Sequence, residues 1–156
     1  MGTRSAGILM YRHTEHGMVV LLVHPGGPFW RNRDLGAWSI PKGEYQEGED
    51  PQNAARREFA EELGVDPKGP LRPLGKLRQR GGKIVVAYAL EGTLDVATVR
   101  SNKIAIEWPP RSGRAIYIPE IDRAAWFALP VARKKILASQ EPFLDRLESM
   151  RRGIAR

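Results

Sequence analysis

The sequence contains no cysteine, so disulfides and thiolate metal sites are excluded. No apolar run approaches the roughly 18 residues that a membrane helix needs. The first residues lack the charged-then-apolar pattern of a secretory signal. A cytoplasmic chain with no membrane partner is the expectation that follows. Internal repeats and low-complexity linkers are missing as well. His13, His16 and His24 show no metal-ligand spacing, so no role is assigned to them.

What is present suits one domain, 1–156: 156 residues with 42% hydrophobic content can bury a real core and do not describe a disordered chain. Charge is distributed unevenly. The net charge is +7, yet residues 44–62 carry seven acids and two bases, a net of −5, leaving about +12 for the rest. An acidic knot in a basic field suits a divalent cation surrounded by groups that receive phosphates.

Local patterning implies a mixed α/β order. Ser5–Tyr11 and Met18–His24 read as strands about a turn at Thr14–Gly17. His24–Trp38 reads as a long loop rich in Gly, Pro and cations, and Trp38–Ile40 as a short strand. Residues 51–63 form the best helix, with Asp50 as N-cap, Pro51 at the first position and Gly64 as the stop. Leu71–Arg80 and Lys83–Glu91 suggest a hairpin about Gly81–Gly82. Ile104–Trp108 and Ala115–Ile118 are shorter strands. Leu129–Ser139 reads as a helix that Pro142 separates from a last one near Phe143–Arg151.

The helix over 51–63 has two unlike faces. Glu58, Glu61 and Glu62 fall at i, i+3 and i+4, one turn apart on one side. Ala54, Ala55, Phe59 and Leu63 form an apolar side that can pack on a sheet. Three neighbouring carboxylates repel one another, and hard cations that take oxygen ligands, Mg2+ or Mn2+, would compensate.

Gly43, five residues, Glu49, seven residues, then Arg57-Glu58-Phe59-Ala60-Glu61-Glu62-Leu63-Gly64-Val65 resembles the Nudix box at nine positions over 23 residues. The flanking layout is similar to the Nudix family from residue 3 to about 140. The resemblance implies an α/β/α sandwich around a mixed β-sheet and a metal-dependent hydrolysis of a diphosphate linkage in a nucleoside diphosphate joined to another group. It implies that Glu58, Glu61 and Glu62 bind metal, that the Gly43 carbonyl adds a ligand, and that Arg57 and Glu49 orient the helix. Family members often add a carboxylate from a later loop. Glu120, just before the aromatic pair Trp126-Phe127, is the first candidate for this extra ligand or base; Glu107 competes, and Glu61 is a further candidate base.

Substrate clues lie outside the box. The Ser39–Glu44 stretch resembles the same stretch in diadenosine polyphosphate hydrolases, with Lys42 placing a cation near the phosphates. Trp30 beside Arg31 and Arg33 suits stacking on a base and gripping phosphates, and Tyr88 is a further stacking candidate. A dinucleoside polyphosphate such as diadenosine tetraphosphate is the leading expectation. The alternatives are RNA 5′-ends, nucleoside triphosphates, and a non-catalytic module that binds nucleotide or RNA. The chain is expected to act as a monomer or homodimer.

Overall fold

A computed structural model describes residues 3–155. The main sheet has the order β4-β5-β1-β2-β8, with β3 also on β1. Its strands are β1 (Arg4–Thr14), β2 (Gly17–Pro25), β3 (Lys42–Glu44), β4 (Arg72–Arg78), β5 (Ile84–Glu91) and β8 (Ile121–Ala128). β1 runs parallel to β5 and antiparallel to β2 and β3, so the sheet is mixed. β6 (Lys103–Glu107) and β7 (Ala115–Pro119) form a separate two-stranded arm.

Alternation along β1 divides the interior into two layers. Ala6, Ile8 and Met10 pack with Ala54, Ala55, Phe59 and Leu63 of α1 (Pro51–Leu63). Leu9 and Tyr11 face the other way. They pack with Ala132 of α2 (Leu129–Lys135) and with Phe143, Leu144 and Leu147 of α3 (Glu141–Ala155). The expected α/β/α sandwich is therefore present. Phe59 is fully buried, a burial that contributes about 1.5–3 kcal/mol.

The bounds of α1 match the sequence reading. Asp50 accepts from the Asn53 amide at 3.2 Å, and Gly64 closes the helix in the left-handed region. Three other elements differ. The short strand lies at Lys42–Glu44 rather than at 38–40, because those residues reach β1 while Trp38 and Ser39 make single bridges to Ile136 and Val23. α2 ends at Lys135, because the Leu137 amide leaves the helix to bond the Trp38 carbonyl at 2.8 Å. Pro142 does not separate two helices. It sits in the first turn of α3, where a proline has no amide bond to lose.

Candidate active site

α1 and β3 face one another, and their contact arranges the acids. Gly43 lies directly beneath the Glu58 side chain: a Cβ at Gly43 would come within 1.5 Å of Glu58 Oε1. Glycine is therefore needed for Glu58 to lie against β3. Arg57 sits between the acids of this half of the site. It pairs with Glu49, lies 3.3 Å from Glu58 Oε2, and is 3.9 Å from Glu61 Oε1. Burial and the nearby Glu61 raise the Glu58 pKa above the usual carboxylate value, against the pull of Arg57.

Glu62 occupies a different setting. It is only 7% exposed and accepts the Lys42 amide at 3.1 Å. Burial, then repulsion from Glu120, pushes its pKa up to about 9. Glu120 arrives from between β7 and β8, its backbone held on both sides. Its amide bonds the Asn102 carbonyl at 2.9 Å, and its carbonyl accepts the Gly26 amide at 3.0 Å. The four glutamates thus stand as two pairs, Glu58 with Glu61 and Glu62 with Glu120. Among the described residues no three acidic or histidine side chains converge on one point.

These donors fit a hard divalent cation. All are carboxylate oxygens, and each pair holds like charges that a cation would relieve. Glu58 with Glu61 and Glu62 with Glu120 are the two pairs that would offer oxygens to it.

A cavity of about 540 Å³ lies on the outer side of α1, lined by Arg56, Arg57 and Glu61 among others, and two more lie on the side of Lys42 and Glu120. One, about 310 Å³, is lined by Trp30, Val23, Ile40, Lys42, Glu62 and Glu120 among others. The second, about 360 Å³, is lined by Lys42, Gly43, Glu58, Gln79, Lys83 and Glu120 among others. Lys42 and Glu120 border both.

Not every expected residue arrives here. Tyr88 is 7% exposed and packs in the α1-side core, so it cannot stack on a ligand; because Ile84–Leu90 are all apolar or aromatic, the pattern hid which face it takes. Arg33 and Arg31 line neither cavity. The Arg33 guanidinium lies 4.3 Å from the Phe29 ring centroid, on the solvent side of the loop. Glu107 is occupied elsewhere, accepting the Arg111 and Gly113 amides at 3.0 Å each in the turn of the β6–β7 arm. Gln79 and Lys83 line the second cavity from the turn at 78–83, whose run of cations in the sequence suits a highly charged substrate, although the sequence does not show which of these residues face the cleft.

The site and the sandwich define one class of protein. Residues 1–147 match the model of the NUDIX domain, and the chain belongs to that family. Among solved structures, a C. elegans Ap4A hydrolase binary complex superposes with a TM-score of 0.65 at 23% identity, covering 97% of this chain and 98% of that one. The NUDIX domain of Shewanella oneidensis NrtR complexed with ADP ribose gives 0.64 at 18% identity, over 96% and 88%. At these identities the likeness is one of fold. An RNA pyrophosphohydrolase of Caulobacter vibrioides is 45% identical over 60 residues, which are 34% of this chain and 35% of that relative. The match thus spans about a third of that protein.

Proposed function

We propose that this chain is a divalent-cation-dependent pyrophosphohydrolase that opens the phosphoanhydride chain of a dinucleoside polyphosphate. The observation that carries the reading is the pair of cavities meeting at Lys42 and Glu120. A substrate with a bulky group at each end and phosphates between would lie across that junction. The Trp30 cavity suits one base, and Lys42 and Lys83 suit the polyphosphate.

In this reading Glu58, Glu61, Glu62 and Glu120, with the Gly43 carbonyl, hold the cation. When bound, such a cation polarises phosphoryl oxygens and makes a coordinated water more acidic. Arg57, fixed by Glu49, keeps Glu58 and Glu61 at the α1–β3 contact. Lys42 offsets charge on the phosphates. Glu120 or Glu61 takes the proton of the attacking water, and the pH–rate profiles of Glu120→Gln and Glu61→Gln separate the two. The complete set of box glutamates argues against a module that only binds.

The similarity to proteins named RNA pyrophosphohydrolase supports a second reading, removal of diphosphate from RNA 5′-ends. One experiment decides between them. The chain is incubated with Mg2+ or Mn2+ and a panel of dinucleoside polyphosphates, nucleoside triphosphates, ADP-ribose and triphosphorylated RNA, with Glu62→Gln as control, and products are separated by chromatography. Fastest cleavage of dinucleoside polyphosphates is expected. Preference for RNA, with a steep salt dependence, overturns the first reading in favour of the second. No cleavage of any substrate overturns both.

A further inference from the structure

His24, in β2, is completely buried, and both of its ring nitrogens are engaged. Nε2 lies 2.6 Å from the Arg33 carbonyl. A carbonyl only accepts, so Nε2 carries a proton and donates it. Nδ1 lies 2.9 Å from Asp122 Oδ1. The Trp38 ring meets the imidazole edge-on, with centroids 5.1 Å apart. A buried imidazole used for packing alone would be costlier than a leucine, because buried polar atoms need partners.

The position explains the choice of residue. Arg33 is three residues beyond Trp30, and its own amide bonds the Trp30 carbonyl at 2.9 Å. Fixing the Arg33 carbonyl therefore fixes the turn that carries Trp30. Asp122 is two residues beyond Glu120, where the β2–β8 register shifts between His24 and Pro25. Two further holds act on the loop: Asp34 bonds the Trp38 indole at 2.8 Å and pairs with Lys135, and Trp30 packs against the cluster that contains Trp38. Arg33 also stacks on Phe29 and donates from Nε to the Phe29 carbonyl at 3.3 Å, contacts that lie at the surface, with Phe29 54% exposed.

We propose that His24 is a positioning residue. It pins the loop from the interior so that Trp30 remains a wall of the cavity beside Lys42, Glu62 and Glu120, and Asp122 sets the orientation of the ring. The inference rests on the reading that this cavity receives a nucleoside of the substrate.

Two substitutions separate the two ring bonds. His24→Asn keeps a polar amide near the place of Nδ1 and loses the donor at Nε2; His24→Gln keeps a donor at Nε2 and loses the group near Nδ1. With the substrate cleaved best and Mg2+ present, His24→Asn is expected to raise KM about tenfold, the worth of one buried hydrogen bond, with kcat little changed. Trypsin should cut after Arg31 or Arg33 several-fold faster in His24→Asn, mapped by mass spectrometry. His24→Gln should resemble the parent in both assays. Equal behaviour of the two variants, or unchanged KM and nicking in His24→Asn, overturns the proposal. Should neither variant fold, nitrogen-15 NMR of the parent decides. A slowly exchanging His24 Nε2 proton coupled to the Arg33 carbonyl is expected, and its absence overturns the pin. If the parent cleaves nothing, the functional reading fails, while nicking and NMR still judge the pin.

Discussion

Glu58 and Glu62 stand one turn apart on one helix and have the same side chain, yet their surroundings differ. Glu58 shares its space with Arg57 and is paired with the exposed Glu61. Glu62 is buried against Glu120, with a backbone amide and Lys42 to offset it, and its pKa rises to about 9. Helical spacing alone would treat the two as equivalent. Burial and the elements packed against the helix give one acid a neighbouring guanidinium that partly offsets its burial, and set the other, more deeply buried, against a second carboxylate. A cation is therefore expected to act most on the Glu62 side.

The largest effect expected is on turnover. Glu62→Gln should lower kcat on the order of 100-fold or more while leaving circular dichroism unchanged; near-parental turnover at saturating Mg2+ would remove Glu62 from the site. The second test uses pH. Because the Glu62 pKa is raised in the fold, its contribution to stability is whole below the ordinary carboxylate range and is lost as pH climbs toward about 9. Chelated protein should lose up to about 1.4 kcal/mol per pH unit across that window, measured by urea unfolding, and Glu62→Gln should flatten the slope. A parent with no slope would remove the raised Glu62 pKa.

Smaller effects sharpen the Glu58 half. Gly43→Ala should push the Glu58 carboxylate off β3 and weaken Mg2+ binding about tenfold, read by calorimetry, without lowering the melting temperature appreciably. Asp50→Ala should cost about 1 kcal/mol in denaturant titrations and leave Mg2+ affinity as it was. A loss of affinity there would mean that the helix start and the acid face are coupled.

The part of this site that could be read from the sequence is the part carried by one helix. Spacing within 51–63 put Glu58, Glu61 and Glu62 on one face and Phe59 on the other, and Asp50, Pro51 and Gly64 bounded the helix. These are local properties, set by period and capping. Glu120 was anticipated through family likeness, and only packing shows it beside Glu62. Tyr88 was misjudged because every residue from Ile84 to Leu90 is apolar or aromatic, so alternation carried no information about its face. His24 gave no signal, since its partners lie 9 and 98 residues away. The early end of α2 is likewise a tertiary effect, imposed by bonds to Trp38.

The central position of β1 has a consequence for how the chain is made. β1 can pair with β2 over Tyr11–Thr14 almost at once and with β3 over Ser5–Gly7 later, but its other edge belongs to β5, about 80 residues on in the Arg4↔Ile84 register. At roughly 5–20 residues per second of synthesis, that open edge waits on the order of 4–16 seconds for its partner. During that interval the strand is flanked on one side only, and Ala6, Ile8 and Met10 have no α1 to cover them until the box itself has been translated. The segment that carries the chemistry is therefore also the first cover for one face of the nascent sheet.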